Sequence, residues 1–220
     1  MNWVVQLILF VSLAPAAFAQ QVIINAPADD HLEPEAGYFA DFNFKHDYYP
    51  HIRNYLLKNL SQNPVARVLV LPTFAPEYVI SVEKDKRWDN YFLVCAEAQE
   101  NIYQKPGKEG IQVTVRRIQI AKDLALQLNK LFMTAIGQVS YRRNQAWGVD
   151  GTTFHFTAYA VGEGVRSGYT WSPQRGSRMH DLVQVVQLLQ KMTSTKDNSP
   201  VAQEVATRCE NLMKRISVTP

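Results

Sequence analysis

The apolar positions along the chain follow two periods, and each period predicts a kind of element. Residues 65–71 are a nearly unbroken run of branched side chains, with Val68, Leu69, Val70 and Leu71 in succession, the pattern of a buried strand. Residues 78–83 and 90–97 predict two further strands, separated by a charged turn over residues 84–89, while Pro72 and Pro76 bracket the preceding connection. A turn between Lys105-Pro106-Gly107 and Gly110 leads to a half-buried strand in which Val113 and Val115 alternate with Thr114 and Arg116. Asp150-Gly151 reads as a hairpin-type turn into residues 152–159. There Phe154 and Phe156 point one way and Thr153, His155 and Thr157 the other. Gly162-Glu163-Gly164 then joins a partner strand that ends near Trp171.

The helical period appears in four places. Asp47 would cap a first helix reaching about Leu60, with Ile52, Tyr55, Leu56 and Leu60 on one face and Asn63-Pro64 ending it. Residues 120–136 place Leu124, Leu128, Leu131, Phe132 and Ala135 on one stripe, followed by Gly137. Residues 179–192 do the same with Leu182, Val185, Val186 and Leu189. A last helix opens on Ser199-Pro200 and presents Val201, Val205, Cys209, Leu212 and Ile216. Strands come in runs and do not alternate with helices. The expected class is therefore α+β: a mainly antiparallel sheet of about five to six strands, with three to four helices on one face.

The N-terminus has a different character. No charged side chain occurs from Trp3 to Ala19, and Ala17-Phe18-Ala19 fits a small-residue cleavage site behind the helix breaker Pro15. Residues 1–19 thus predict a cleavable secretory signal, and residues 20–220 a single domain entered through an irregular lead-in over 20–46. The missing basic residue before the apolar run leaves an uncleaved anchor as the alternative. The run, however, is shorter than the roughly 20 residues a spanning helix needs. No later segment is long and apolar enough to predict a transmembrane span in the mature chain.

Ten Tyr, ten Phe and four Trp argue for a packed fold and against disorder. The net charge of +3 is spread: Lys84, Lys86, Arg87, Arg116, Arg117, Arg142 and Arg143 lie in short groups among acids, which speaks against a nucleic-acid partner. Cys95 and Cys209 make an even pair, and in an oxidising compartment they are expected to form a disulfide between a central strand and the last helix. Closing so long a loop would contribute about 4–5 kcal/mol in the chain-entropy picture. Two separate buried thiols are the alternative.

Candidate chemistry concentrates in Asp150-Gly151-Thr152-Thr153-Phe154-His155-Phe156 and in Trp171-Ser172-Pro173-Gln174-Arg175-Gly176-Ser177. His155, Trp171, Arg175 and Ser177 are the expected binding residues. Thr153, Thr157 and Tyr169 would lie nearby, and the following helix start offers a place for an anion. His155 would serve a hydrolase as acid or base, but no partner for it can be read from spacing, and Ser172 and Ser177 stand in no nucleophile elbow. These two segments resemble those of exported bacterial proteins. The resemblance covers about residues 150–190 and implies a periplasmic setting, with no activity attached to it.

Other clusters are weaker. His46, Asp47 and His51 lack the i,i+4 spacing of a helical zinc site. Asp29, Asp30, His31, Glu33 and Glu35 lack the glycine and periodicity of a calcium loop and read as a solvated acidic lead-in. Glu97 and Glu100 suggest a two-carboxylate site only faintly, and Asn59-Leu60-Ser61 is a sequon that also suits a helix end. No metal or cofactor is therefore expected. The sequence points to a non-enzymatic protein of the periplasm or cell exterior that binds another protein or an envelope component, an inhibitor or immunity protein being one concrete form. A periplasmic hydrolase and a structural envelope component are the alternatives.

Overall fold

The computed structural model describes residues 30–35, 48–85, 87–141 and 150–217. The expected signal segment, the expected capping residue Asp47 and His46 lie outside them. In chain order the elements are β1 (Glu33–Pro34), α1 (Tyr48–Ile52, continued by a π-helical turn Arg53–Leu57), β2 (Ala66–Pro72), β3 (Tyr78–Lys84), β4 (Tyr91–Ala98) and β5 (Val113–Ile120). Then follow α2 (Lys122–Ile136), β6 (Thr152–Ala160), β7 (Gly164–Trp171), α3 (Arg178–Ser194) and α4 (Ser199–Ser217). The strands form one antiparallel sheet in the order β1-β7-β6-β2-β3-β4-β5. This is the expected α+β class.

The alternation of each strand divides its side chains between two covers. Val68, Val70, Ile80, Val82, Leu93, Cys95, Phe154 and Phe156 are buried in one core with the apolar stripes of α2, α3 and α4. Phe132 of α2 meets Phe156 edge to face, ring centres 5.2 Å apart. Leu69, Leu71, Val79, Ala96 and Ala98 face the other way and pack with Tyr48, Tyr49, Ile52, Leu56, Ile102 and Ile111. Three helices thus share one face, and α1 covers part of the other. The reason lies in β2 and β3, whose apolar residues run without alternation and need burial on both sides.

Among the described residues the sheet has seven strands, the additional one being β1. Its two rungs, Glu33 opposite Tyr169 and Pro34 opposite Gly168, are too short to carry a strand pattern. Gly168 admits it: a Cβ there would come within 2.6 Å of Val139 Cγ2 and 3.1 Å of Leu32 Cβ. The described part of the lead-in is accordingly sheet edge, where a solvated acidic stretch was expected. Gly151 likewise extends the β2–β6 ladder, its carbonyl accepting from Thr73 N at 2.9 Å.

The expected disulfide is absent, since Cys95 and Cys209 are free, buried thiols. Each fills a small apolar position in the core, and Cys95 Sγ also accepts from Arg116 at 3.6 Å. Burial pushes both thiols above their ordinary range, with Arg116 pulling against it at Cys95.

Candidate functional site

One end of the sheet, on the α1 side, holds a cleft of about 200 Å³ lined by Tyr48, Tyr49, Leu71, Thr73, Tyr103 and Trp171, with Pro72, Gly151 and Thr153 between them. Its position follows from the ladder. Trp171 at the end of β7 stands opposite Thr153 of β6, and Leu71 of β2 stands opposite Thr153 on the other side, so the three share one face. α1 lays Tyr48 and Tyr49 over that face, and the turn after β4 brings in Tyr103. The aromatic rings brace one another: Tyr48 and Tyr49 are 5.2 Å apart and tilted, Tyr48 and Tyr103 5.3 Å apart and edge to face.

Glu77, fully buried just before β3, fastens this wall. Its Oε1 accepts from Tyr48 OH at 2.9 Å and from Tyr103 N at 3.0 Å, while Oε2 accepts from Ile102 N at 2.7 Å. Three donors on one carboxylate meet its demand for charge-assisted bonds away from water. Burial, and then the Glu77 charge, hold the Tyr48 hydroxyl far above the usual phenol range, so it remains a donor.

The rim is also tied. Asn101 Nδ2 donates to the carbonyls of Thr73 and Ala75, at 3.2 and 2.8 Å, and Gln104 Nε2 to Thr73 O at 3.2 Å. Phe74, between those pinned carbonyls, is 69% exposed, and Tyr103 is 51% exposed. Across the cleft, Thr152 N donates to Ser172 Oγ at 2.9 Å, with Ser172 in the left-handed region at φ 39°. Gly151 allows the indole to lie close, because a Cβ there would fall 2.7 Å from Trp171 Nε1.

The four expected binding residues separate in space. Trp171 lines the cleft. His155 lies on the same face two rungs further along, opposite Tyr169 and Leu69, and is only 2% exposed. Its Nδ1 is 3.4 Å from Glu35 Oε1, and its ring sits 5.9 Å from Tyr169, whose hydroxyl donates to Glu33 at 3.1 Å. Two acids of the lead-in therefore hold the sheet edge through His155 and Tyr169. Ser177 is the N-cap of α3, its Oγ accepting from His180 N at 3.0 Å. Arg175 is exposed on the loop before it.

The helix start expected to hold an anion is already filled from within the chain. Asp30 accepts from Arg178 N at 2.6 Å and Met179 N at 3.0 Å, with Arg178 Nε at 3.3 Å. Glu97 and Glu100 form no two-carboxylate site, pairing instead with Arg116 at 2.6 Å and Lys105 at 2.9 Å. His51 stacks on Tyr55. Among the described residues no group of three or more His, Cys, Asp or Glu is placed to hold a metal ion, and no helix is long and apolar enough to cross a membrane.

Sequence reasoning passed over Glu77, Tyr48, Tyr49 and Tyr103. The available signals were the Tyr48-Tyr49 doublet at a helix start and an acid directly ahead of an apolar strand. Neither reveals that the β4–β5 connection brings Tyr103 to the same place.

Fold and site together define an α+β protein with one antiparallel sheet and a pre-ordered aromatic cleft at the β2, β6 and β7 end. No protein-family model, curated protein or solved structure matches the chain.

Proposed function

We propose that the chain is an exported, non-enzymatic binding protein that recognises another protein of the cell envelope through the aromatic cleft, in the manner of an inhibitor. The observation that carries this reading is the combination of a tied aromatic wall with exposed Phe74 and Tyr103 at its rim. Aromatic anchors around a small pocket are the composition of an interface centre, and walls already held by Glu77 and Asn101 lower the ordering cost of binding. At about 200 Å³ the cleft is smaller than the ~300–1,000 Å³ of drug-sized pockets and suits a single inserted side chain. No side chain named in its lining is ionised at neutral pH, so that side chain is uncharged. A hydrolytic reading would need substrate to reach His155, which lies buried against Glu35.

A photo-crosslinking amino acid placed at Tyr103, compared with one at Val161 in the distant β6–β7 turn, tests the proposal in cells making the chain at native level. One defined protein adduct from the Tyr103 position and none from Val161 is expected. No adduct at either position, or equal adducts at both, would overturn it and favour a structural role.

A further inference from the structure

Among the described residues the sheet has one long open edge. Strand order ends on β5, and among the described residues β5 pairs only with β4. The other side ends on the two-residue β1. An edge of this kind exposes a row of backbone donors and acceptors that only another extended chain can satisfy. Nothing interrupts the row: β5 contains neither Pro nor Gly, and its register runs without a bulge from Ile120 opposite Tyr91 to Val113 opposite Ala98.

Charged side chains commonly guard such an edge. Here both arginines are folded back over β4. Arg116 Nη2 donates to Glu97 at 2.6 Å, and the Arg117 guanidinium lies 3.8 Å from the centre of the Phe92 ring. Val115, the residue before them, is 62% exposed. The edge thus presents an exposed valine beside two arginines that are each engaged with β4.

We propose that two copies of the chain pair antiparallel along β5 about a two-fold axis at Val115, joining their sheets into one. In this register Val115 faces Val115 of the partner subunit, Arg116 faces Thr114 of the partner subunit, and Arg117 faces Val113 of the partner subunit. No cation opposes another, whereas an axis at Arg116 or Arg117 would set two arginines face to face. The strand is therefore complementary to itself in backbone and apolar contact, with no like charges directly opposite, as an isologous interface requires. Two strands, β3 and β4, separate β5 from β2, the nearest strand that lines the cleft, so the pairing is independent of the function proposed above.

Sedimentation equilibrium of the full chain tests the association, and cysteine crosslinking tests the register. Directly opposite residues of an antiparallel pair have Cα atoms about 4.5–5.5 Å apart, within disulfide range. Val115→Cys under mild oxidation is expected to give a covalent dimer and Arg117→Cys none, the native thiols Cys95 and Cys209 being buried. Val115→Lys, at an exposed position, is expected to weaken self-association at least about tenfold with unchanged circular dichroism, since it sets like charges opposite each other. A wild-type chain that stays monomeric at about 100 µM, far above the range of specific pairing, would overturn the proposal. So would crosslinking from Arg117→Cys alone, or a monomer whose β5 edge instead carries a strand of a different protein.

Discussion

Replacing Glu77 probes the cleft wall most sharply, because one carboxylate serves three donors there. Glu77→Ala leaves Tyr48 OH and the Ile102 and Tyr103 amides without their acceptor in a buried place. At about 1–3 kcal/mol for each buried donor left unmet, with water entering the space and recovering part, the loss is about 4 kcal/mol. Glu77→Gln can keep an oxygen toward Tyr48 and Tyr103 and turns its amide against Ile102 N alone, so it costs about 1–2 kcal/mol. For a chain of this length each kcal/mol shifts Tm by about 2–4 °C, giving about 8–16 °C for Ala and a quarter to a half of that for Gln. Urea unfolding followed by far-UV circular dichroism supplies the free energies, and tyrosine fluorescence reports the Tyr48–Tyr103 contact. A loss below about 1 kcal/mol for Glu77→Ala, or equal losses for Ala and Gln, would refute the view that three donors depend on this carboxylate.

Four further outcomes are expected. Asp30→Ala removes the acceptor of Arg178 N and Met179 N at the start of α3 and should cost about 1–2 kcal/mol in urea unfolding, with Asp30→Asn losing less than half as much. Burial raises the Cys209 thiol from 9.0 and the Tyr78 hydroxyl from 10.0, each to about 12. The unfolded chain releases these protons first, so stability is full below about pH 9 and falls as pH rises toward 12, which urea midpoints at about pH 8 and about pH 11 will show. Iodoacetamide should leave both cysteines unmodified until the chain unfolds. N-terminal sequencing of protein recovered from exporting cells should begin at Gln20, whereas an intact Met1 in the membrane fraction would identify an anchor.

The elements that were legible in the sequence are those whose burial repeats. The stripe Leu124, Leu128, Leu131, Phe132 and Ala135 is the buried face of α2, and Val201, Val205, Cys209, Leu212 and Ile216 are the buried residues of α4. Phe154 and Phe156 enter the core of the three helices while His155 faces the other side. The two-sided burial of β2 was also visible in its unbroken apolar run, although what covers its second face was not. The cleft itself was legible only in Trp171 and Thr153. Glu77 and Tyr103 are far from Tyr48 in sequence, and Glu77 joins them by accepting from the Tyr48 hydroxyl and from the Ile102 and Tyr103 amides, which no side-chain pattern records. Asp30 presented the same difficulty: an acidic lead-in carries no sign that one of its residues caps a helix that begins at Arg178.

The central claim is that the aromatic cleft is the recognition surface. Its most direct test is the affinity of the full chain for the protein captured at Tyr103, compared between wild type, Trp171→Ala and Arg175→Ala. Trp171 lines the cleft, and a buried aromatic anchor is worth at least about 2 kcal/mol, so Trp171→Ala should weaken binding by at least about 30-fold. Arg175→Ala, on the exposed loop, should stay within about twofold. Unchanged affinity in a Trp171→Ala protein that remains folded by circular dichroism would contradict the account.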